Sequence, residues 1–485
     1  MSNNSKYFKL TLTTQQEHAF NALRLFAENL TEKIFVLRGY AGTGKTTLMS
    51  GFIKYLSDKN KNYKLLATTG RAAKILGDKT NTDTRTVHSL IYNFNELSED
   101  MEKIIRSMEN KTIDKTGQLR LIFDMEPIVT DRTWFYIVDE ASMMSDKAEV
   151  STSFAKFGSG DLLGDLFKYD PKGKFIFVGD PCQLPPVSQV NSPALEPPYL
   201  IDKYKFNVRQ VELTEIMRQD PKNGIVSASL KLRNLYKNPP APNPNWKKAW
   251  SFLPVKGFKN ITIHSSHIDM VNEYLQNVQN HDFEYATLIC QTNKLCSNIN
   301  SYLRKVIHNN PTGLVIGDLL MVTQNNYIVD LVNGDQVTVE KIGTSEWRAN
   351  MTFRKIEVKE LASKKSYSLL LIEDVLNAVQ PNINEEQHKS LMIDYFQRMK
   401  AKGIDQKHRL FKINMLSDPY LNALRASYGY ALTCHKSQGG EWNEVYLYMD
   451  KSIQALNPPG IYQWWYTAVT RAKEHLHVVD DWFVK

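Results

Sequence analysis

The feature that most constrains the fold of this chain is the segment Gly39-Tyr-Ala-Gly-Thr-Gly-Lys-Thr46, which matches the pattern G-x-x-x-x-G-K-T. The apolar run Ile34–Arg38 before it predicts a buried strand, and Thr46–Ser57 after it predicts a helix. Glycines let backbone N–H groups turn inward around an anion, and the helix N-terminus adds its positive dipole end. Lys45 is expected to reach the β- and γ-phosphates, and the hydroxyl of Thr46 to ligate Mg²⁺. The segment therefore predicts a strand–loop–helix unit that binds a nucleoside triphosphate.

Further short apolar runs alternate with helical stretches up to about Gln219. The predicted strands are Tyr63–Thr68, Trp134–Val138 and Lys174–Val178. This alternation predicts a parallel α/β sheet. Between them lies a stretch of different character, in which Ser98–Asn110 predicts a helix and Gly117–Thr130 an extended hairpin arm. We interpret this stretch as an insertion into the sheet.

The second half of the chain predicts another domain, because 485 residues are too many for one core. A helix predicted over Ile225–Tyr236 is followed by a proline-rich stretch, Asn238–Asn245, which cannot continue it. We interpret this stretch as a stiff connector with a second domain beyond it. The elements predicted there are strands at Thr287–Gln291 and Glu444–Met449, a turn at Asn333–Asp335, a small antiparallel barrel over Gln336–Leu371 and a helix near Glu385–Lys402.

Composition narrows the class of protein. The apolar 42% and charged 23% are typical of a globular protein, and the net charge of +8 with a pI near 8.9 fits a polyphosphate partner. No apolar run approaches the roughly 18 residues of a membrane span, and the start Met1–Leu10 does not resemble a secretory signal. The four scattered cysteines match no zinc spacing and predict reduced thiols in a cytoplasmic compartment.

Two predicted strands end in polar residues suited to phosphate chemistry. Tyr136-Ile-Val-Asp-Glu140 ends in paired carboxylates, from which Asp139 is assigned to Mg²⁺ and Glu140 to orienting the attacking water. Gln183 follows the strand Lys174–Val178 and is placed to donate to the γ-phosphate. Beside the glycine-rich loop, these residues predict a catalytic site for ATP hydrolysis.

Further motifs, in order along the chain, give a more specific resemblance. Val138-Asp-Glu-Ala-Ser-Met143, Gly179-Asp-Pro-Cys-Gln-Leu-Pro-Pro186 and Thr433-Cys-His-Lys-Ser-Gln-Gly439 resemble motifs II, III and V of superfamily 1 helicases. Leu12–Gln16 resembles the adenine-reading Q motif, and Leu213–Gln219 resembles motif IV. Tyr466-Thr-Ala-Val-Thr-Arg-Ala472 resembles motif VI. The resemblance extends from Leu12 to about Val479.

The branch of the superfamily can also be inferred. His435-Lys-Ser-Gln-Gly439 resembles the version found in the Dda, RecD and Pif enzymes of the B group. These enzymes generally travel 5′ to 3′ on single-stranded DNA, and the resemblance implies that polarity here.

The resemblance implies an α/β fold with two RecA-like parallel-sheet domains, a small inserted hairpin (1B) and an SH3-like β insertion (2B). The expected divisions are domain 1A over 1–92 and 131–210, 1B over 93–130, domain 2A over 211–334 and 421–485, and 2B over 335–420.

The resemblance also implies roles for single residues. Gln16 would read adenine, Glu441 would contact the ribose, and Arg218 and Arg471 would be arginine fingers, a role that suits a forked, permanently charged guanidinium. Both arginines are expected in the second domain, so that they reach the loop only when two domains close on ATP. The expected nucleotide contacts are Gln16, Gly39, Gly42, Thr43, Gly44, Lys45, Thr46, Thr47, Gly439 and Glu441.

Single-stranded DNA is bound through phosphates and by stacking of bases on flat side chains. Short hydroxyls and amides suit a protein that must grip any sequence. The candidate contacts are Thr68, Thr69, Arg71, Thr86, His88, Thr292, Asn293, Thr433, His435 and Lys436, each of which could instead cap a helix or a turn. Leu119, Leu121, Ile122 and Phe123 form either a strand-separating wedge or a hairpin covering the sheet edge.

Three functions remain open at this stage. The first is an ATP-driven, Mg²⁺-dependent DNA helicase, and the second is a single-strand translocase that displaces bound proteins or remodels forks with little unwinding. The third is a nucleotide-gated binding switch, which the set Lys45, Glu140, Gln183, Arg218 and Arg471 disfavours. The expected partners are single-stranded DNA and single-strand/duplex junctions, with single-strand-binding or replication proteins as further candidates. We expect a monomer, no membrane association, and a role in DNA replication, repair or recombination.

Overall fold

The computed structural model describes residues 5–98, 100–102, 104–105, 120–147, 155–217, 223–241, 251–279, 283–378 and 382–485. Arg218, Leu119 and most of the predicted helix Ser98–Asn110 lie outside these ranges. No α-helix within the described ranges is long and apolar enough to cross a membrane.

The strands within these ranges are numbered in chain order. They are β1 (Ile34–Gly39), β2 (Asn62–Ala67), β3 (Thr84–Thr86), β4 (Tyr92–Leu97), β5 (Leu121–Met125), β6 (Trp134–Asp139), β7 (Ala155–Phe157), β8 (Lys174–Gly179), β9 (Val208–Leu213), β10 (Ile261–His264), β11 (Ala286–Cys290), β12 (Leu319–Val322), β13 (Gln336–Arg348), β14 (Met351–Glu360), β15 (Ser366–Ile372), β16 (Ala426–Tyr428), β17 (Ala431–Thr433), β18 (Trp442–Tyr448) and β19 (Ala472–Val479).

The α-helices are numbered in the same way. They are α1 (Thr14–Glu28), α2 (Lys45–Asp58), α3 (Gly70–Thr80), α4 (Val87–Ile91), α5 (Leu162–Tyr169), α6 (Pro197–Tyr204), α7 (Gly224–Lys237), α8 (His267–Val278), α9 (Asn293–Ile307), α10 (Glu373–Leu376), α11 (Glu385–Ala401), α12 (Arg409–Ser417) and α13 (Gly460–Val469).

The first sheet has six parallel strands in the order β3-β2-β6-β8-β1-β9. Side chains alternate across β1, so Phe35 and Leu37 pack with α1 and α2 while Ile34 and Val36 pack with α5 on the opposite face. Because helices cover both faces, the central strands are continuously apolar, as parallel sheets require. The predicted strands at 34–38, 134–138 and 174–178 are confirmed as β1, β6 and β8.

The second sheet has five parallel strands in the order β10-β19-β18-β11-β17. On one face α7 and α13 contribute Leu232, Trp464 and Trp465 to the core, and on the other face α8 and α9 contribute Tyr274 and Leu303. The two tryptophans are 2% and 0% exposed, which places them in the core and away from any DNA base. Two parallel sheets in one chain confirm the predicted α/β class.

The expected boundary between the first two domains at 210/211 is wrong. β9 extends to Leu213 and pairs with β1 along its whole length, so 211–213 complete the first sheet. The proline-rich stretch from Asn238 was interpreted as a connector with the second domain beyond it, and this interpretation is also wrong. The helix α7 comes before Asn238 in the chain and already packs into the core of the second domain. The chain crosses between domains after Leu213 and before Gly224.

A small sheet of β4, β5 and β7 lies beside the first sheet, with β4 antiparallel to β5 and β5 parallel to β7. It confirms an extended strand within Gly117–Thr130 and shows that the insertion recruits 155–157 as well. A third sheet, in the order β15-β14-β13-β12-β16, is antiparallel. Since β12 and β16 flank 335–420 on both sides, this sheet extends beyond the expected 2B insertion.

An apolar cluster joins the small sheet to the helices α11 and α12, which lie between β15 and β16 of the third sheet in the chain. We call it the clasp. Its buried members are Leu97, Met101 and Ile104 from the first half of the chain and Met392, Tyr395, Phe396, Met399, Phe411 and Met415 from the second. At its rim the Met101 N–H donates to Gln406 Oε1 at 2.9 Å, and Lys400 Nζ lies 3.0 Å from Glu102 Oε1.

Candidate ATP site and nucleic-acid interface

The glycine-rich loop follows β1 and leads into α2. Gly42 and Gly44 have φ of 77° and 84°, the left-handed region that favours glycine. A Cβ on Gly44 would also lie 2.5 Å from Gln16 Nε2. The loop is held by a bond from Thr43 Oγ1 to the Tyr40 carbonyl at 2.9 Å. This geometry leaves a concave loop at a helix N-terminus, which is an anion-binding arrangement.

Lys45 begins α2 and turns back over the loop. Its Nζ donates to the carbonyls of Gly39 at 2.7 Å and Tyr40 at 3.0 Å. The same ammonium is within the cleft that contains the loop, so phosphate oxygens can replace these neutral acceptors with stronger, charge-assisted ones. The position matches the predicted phosphate-binding role.

Asp139 and Glu140 stand at the carboxyl end of β6, facing the loop. Glu140 has φ of 51°, an uncommon conformation for a side-chain-bearing residue, and its N–H donates to Asp139 Oδ1 at 2.9 Å. Burial, and then the neighbouring charge of Glu140, raise the pKa of Asp139 to about 6. Two close, desolvated carboxylates favour a nearby cation.

The donor set fits Mg²⁺. Thr46 and Asp139 line the same cleft and offer a hydroxyl and a carboxylate oxygen, the hard ligands this ion prefers. When bound, Mg²⁺ would be held by these two side chains and would supply positive charge against the charge that develops on the phosphates.

Gln183 follows β8, where its N–H donates to the Asp180 carbonyl at 3.2 Å. The side chain is 4% exposed and its Oε1 has no hydrogen-bond partner within the described structure. An unpaired buried amide oxygen is costly unless a ligand or water satisfies it. Its place in the cleft agrees with a group that contacts the terminal phosphate or the attacking water.

The second domain closes the cleft from the opposite side. The cavity has a volume of about 700 Å³, and Gly439, Glu441, Arg471 and Lys473 of the second domain line it together with the loop. Arg471 is 4% exposed and donates to the carbonyls of Thr467 at 3.0 Å and Gly440 at 3.1 Å. The predicted finger Arg471 is thus in the cleft, held by neutral acceptors.

The described part of motif IV, residues 213–217, lies with the first domain and not with the second, where we expected it. The Met217 N–H donates to the Gly42 carbonyl at 2.8 Å, so the residues before Arg218 are tied to the loop of the first domain. The placement of this segment in the second domain is therefore wrong, because the strand before it completes the first sheet. Arg218 itself lies outside the described residues, and its role stays a prediction.

Gln16 lies beneath the loop. Its side chain completes a capping box with Thr13 at the start of α1, and its Nε2 donates to the Thr43 carbonyl at 3.1 Å. The residue thereby fixes the loop's orientation. The adenine contact stays a prediction.

Sequence reasoning missed Tyr466 and Asp180. Tyr466, on α13 of the second domain, donates to Asp180 Oδ2 at 2.7 Å and accepts from the Ala41 N–H at 3.2 Å. One buried hydroxyl therefore joins motif VI to motif III and to the phosphate-binding loop. Asp180 lies in the segment that resembles motif III, and Tyr466 lies in the segment that resembles motif VI. The sequence feature that could have pointed to Tyr466 is a polar hydroxyl in an apolar helix, five positions before Arg471. Lys79 and Lys473, which line the cleft, were also missed.

Several candidate DNA contacts of the first domain lie at helix N-termini. Thr69 caps α3 by accepting from the Ala72 N–H at 3.2 Å, and Thr86 caps α4 by accepting from the Ser89 N–H at 3.1 Å. A capping hydroxyl still has its own hydrogen to donate, and a helix N-terminus attracts phosphate. The capping alternative is thus confirmed for both, and it leaves the DNA contact available.

Three other first-domain candidates are engaged within the protein. Thr68 Oγ1 donates to the Glu140 carbonyl at 3.0 Å, which links the predicted track to the catalytic strand. Arg71 donates to the Gly334 carbonyl at 3.2 Å and lies over the Trp442 ring at 5.2 Å. Burial lowers the pKa of His88 to about 4, so its imidazole is neutral at pH 7.

The second-domain candidates follow the carboxyl ends of β11 and β17. Thr292 caps α9 by accepting from the Leu295 N–H at 3.2 Å, and both Thr292 and Asn293 are exposed. Thr433 is 7% exposed, whereas His435 is exposed. Because β11 and β17 pair in parallel, these two groups share one edge of the sheet.

The proposed wedge is partly occupied by packing. Phe123 stacks on Phe157 with ring centroids 4.7 Å apart, and Leu121 packs against the clasp. Leu121, Ile122 and Phe123 are half-buried, while Leu119 lies outside the described residues. For the described part, the covering-hairpin alternative accounts for the contacts.

Comparison with known proteins agrees with these motifs. Residues 11–237 match the family profile of an AAA domain, and residues 428–479 match that of a UvrD-like helicase C-terminal domain. The two matches together span more than half of the chain. They include the phosphate-binding loop in one segment and Gly439, Glu441 and Arg471 in the other.

Relatives are distant but extensive. Protein R530 of Acanthamoeba polyphaga mimivirus is 24% identical, over 96% of this chain and 98% of that protein. The ATP-dependent DNA helicase dda of Enterobacteria phage T4 is 24% identical, over 67% of this chain and 64% of that protein. The ATP-dependent RecD2 DNA helicase of Deinococcus radiodurans is 27% identical over 41% of this chain and 21% of its own length.

The fold has a counterpart among solved structures. A Pif1 helicase from a study of unwinding at forked double-stranded DNA superposes with a TM-score of 0.50 at 17% identity, over 98% of this chain and 93% of that one. At this identity the likeness shows a shared fold. With the family matches and the ordered motifs, the chain belongs to the superfamily 1 helicases of the B group, in the branch of the Pif1, Dda and RecD enzymes.

Proposed function

We propose that this protein is an ATP-dependent DNA helicase that moves 5′ to 3′ along single-stranded DNA and separates duplexes ahead of it. One observation carries the proposal: the cleft that contains the phosphate-binding loop is built from both RecA-like domains, with Arg471 contributed by the second. A nucleotide bound there contacts both domains at once. Its hydrolysis can therefore change the distance between them.

In the proposed reaction, Lys45 and the loop amides bind the β- and γ-phosphates, and Thr46 and Asp139 hold Mg²⁺. Glu140 orients the attacking water, and Arg471 moves from its carbonyl partners to the transferring phosphoryl group. Charge develops on the phosphoryl oxygens, and a guanidinium brought against them stabilises that charge more than it stabilises bound ATP. The contacts of Lys45 and Arg471 with neutral carbonyls support this exchange.

The proposed track runs along helix N-termini of both domains. Thr69 and Thr86 of the first domain and Thr292 of the second each cap a helix that follows a parallel strand. Phosphates bound at such termini contact amides and hydroxyls without reference to base sequence. The bond from Thr68 to the Glu140 carbonyl supplies a direct path from this track to the water-orienting residue.

The deciding experiment uses two duplexes, one with a 5′ single-stranded tail and one with a 3′ tail, mixed with protein, ATP and Mg²⁺. We expect displacement of the 5′-tailed strand alone. Displacement of the 3′-tailed strand alone would contradict the polarity, and strand-stimulated ATP turnover without displacement would identify a translocase. A nucleotide-gated switch would show neither turnover nor displacement.

Two variants serve as controls. Lys45→Ala removes the phosphate contact and should abolish displacement of either duplex. Glu140→Gln keeps the side-chain shape and removes the base, so ATP should still bind while turnover falls by about 10²–10⁴. Unchanged turnover in Glu140→Gln would refute the assignment of that residue.

Single-strand affinity should also depend on salt, because binding to phosphates releases condensed cations. We expect a linear fall of log affinity with log salt between about 50 and 200 mM. Action as a monomer in the cytoplasm, and cooperation with single-strand-binding or replication proteins, remain part of the proposal.

A further inference from the structure

A cluster of titratable side chains lies in the second domain, away from the ATP cleft. We call His264, Glu273 and His477 the histidine cluster. His264 ends β10, and His477 lies on the neighbouring strand β19, paired in register with Thr262. Glu273 projects from α8, which packs across this face of the sheet. None of the three lines the nucleotide cleft.

The spacing of the three side chains is that of a tetrahedral metal site. His264 Nε2 lies 3.1 Å from His477 Nδ1, Glu273 Oε2 lies 3.7 Å from His264 Nε2, and Glu273 Oε1 lies 3.6 Å from His477 Nδ1. With one ligand atom taken from each residue, all three atoms lie within 4.8 Å of one another. In a tetrahedral site with Zn–N and Zn–O distances near 2.0–2.1 Å, neighbouring ligand atoms are about 3.4 Å apart. The three separations fall on both sides of that value.

The surroundings of His477 add a second observation. The side chain is 2% exposed, yet its Nε2 makes no hydrogen bond, although Glu444 Oε2 lies 3.4 Å away. Asn277 and Tyr446 donate to that same oxygen at 2.6 and 2.8 Å. A carboxylate behind the outer nitrogen of a metal-bound histidine is the usual second layer of a zinc site.

A direct hydrogen bond between the two imidazoles is the simplest alternative. This hydrogen bond accounts for one of the three short separations. It leaves the Nε2 atom of His477 without a hydrogen bond, and it leaves the Glu273 carboxylate next to two imidazole rings without a hydrogen bond to either. Nearby His475 is engaged elsewhere, since its Nε2 lies 2.8 Å from Thr262 Oγ1.

We propose that His264 Nε2, His477 Nδ1 and a carboxylate oxygen of Glu273 bind one Zn²⁺ or a similar divalent transition-metal ion. A water molecule occupies the fourth position on the side of Glu273, whose side chain is 44% exposed. The ion fastens α8 to the edge of the second sheet formed by β10 and β19. It is a structural ion, distinct from the Mg²⁺ that accompanies ATP, because two imidazoles favour zinc over magnesium.

The test titrates Co²⁺, and separately Zn²⁺, into chelator-treated full-length protein. The readouts are the visible absorption of tetrahedral Co²⁺, the stoichiometry by calorimetry, and the melting temperature. Glu273→Gln removes the anionic ligand at a half-exposed position, where folding is not threatened, and His264→Gln removes a nitrogen ligand. His267→Gln is the matched control, because His267 also lies on α8 but contacts the Met449 carbonyl at 2.7 Å.

We expect one ion per chain, a tetrahedral cobalt spectrum without thiolate bands, and a melting temperature that rises with Zn²⁺. Affinity should fall at least about 100-fold in Glu273→Gln and His264→Gln and stay within about threefold in His267→Gln. The proposal is overturned if the wild type binds no Co²⁺ or Zn²⁺ in the micromolar range. It is equally overturned if Glu273→Gln and His264→Gln bind as the wild type does.

Discussion

Among the contacts that join the two halves of this chain within its described residues, the ATP cleft and the clasp differ most in chemical character. The ATP cleft is polar: Tyr466 reaches Asp180 and Ala41 across it, and Arg471 lines its wall. The clasp is apolar, with Phe396 at 3% and Met101 at 0% exposed, and it contains buried methionines from both halves.

The difference in polarity between the cleft and the clasp indicates which of the two contacts can rearrange. Hydrogen bonds from Lys45 and Arg471 to carbonyls can be exchanged for bonds to phosphate at little net cost, because each donor keeps a partner. Separating the clasp would instead return several large apolar side chains to water, at about 25 cal/mol for each Å² exposed. We therefore expect nucleotide to act on the cleft while the clasp keeps its packing. Four predictions test that contrast.

The largest effect is expected at Arg471. Arg471→Ala removes the guanidinium that the second domain brings to the phosphates, and ATP turnover should fall by about 10³–10⁵ in a strand-stimulated assay. Arg471→Lys should recover little of the lost rate, because an ammonium lacks the forked geometry. Full activity in either variant would mean that the cleft does not need the second domain.

The clasp is tested by Phe396→Ala. This substitution leaves a cavity among Met399, Phe411 and Tyr395, and the free energy of unfolding should fall by about 3–5 kcal/mol in denaturant titrations. Strand-stimulated ATP turnover per folded molecule should stay within about twofold at 20 °C. A loss of turnover without a loss of stability would show that the clasp participates in the nucleotide cycle.

Tyr466→Phe should have a smaller effect on stability and on ATP binding, because the hydroxyl joins the two domains. Without the hydroxyl, the buried Asp180 carboxylate loses a charge-assisted bond and the Ala41 N–H loses its acceptor. We expect a loss of about 1.5–3 kcal/mol in stability, with a raised KM for ATP. Tyr462→Phe, on the same helix, is the control, since Tyr462 is buried in the second core. An equal effect of the two variants on KM would assign the change to helix packing.

The smallest effect concerns Asp139. Because its folded-state pKa is raised to about 6, ionised Asp139 destabilises the nucleotide-free protein above that pH, and the penalty disappears as pH falls through 6 towards 4. At pH 7.5 the free energy of unfolding of Asp139→Asn should thus exceed that of the wild type by on the order of 1 kcal/mol, although the variant should lose ATP turnover. The stability difference should shrink by pH 5; a difference independent of pH would contradict the assigned cause.

Much of the ATP site could be predicted because its chemistry is local. A strand, a glycine-rich turn and a helix place Lys45 and Thr46 without help from distant residues, and Asp139 and Gln183 follow strands whose carboxyl ends must meet at one edge. The capping alternative for Thr69 and Thr86 was also readable, since each precedes a helix directly.

The failures occurred where distant segments pair. The predicted boundary divided the edge strand β9 between two domains, because the residue types of Val208–Leu213 do not identify β1 as the strand with which it pairs. Tyr466 was overlooked, since its partners Asp180 and Ala41 lie 286 and 425 positions away along the chain. For Leu121 and Phe123 the sequence left a wedge and a covering hairpin open, and only the fold shows that both side chains are half-buried and packed.

The sequence by itself determined the phosphate-binding loop, the order of the motifs and the branch of the superfamily, because these depend on residue type at short spacing. Only the tertiary structure decided which distant groups meet. Tyr466 meets Asp180 and the clasp forms across the domains, and the histidine cluster of β10, β19 and α8 forms within the second domain. Such contacts join residues up to hundreds of positions apart, and their geometry is set by how two sheets and their helices pack.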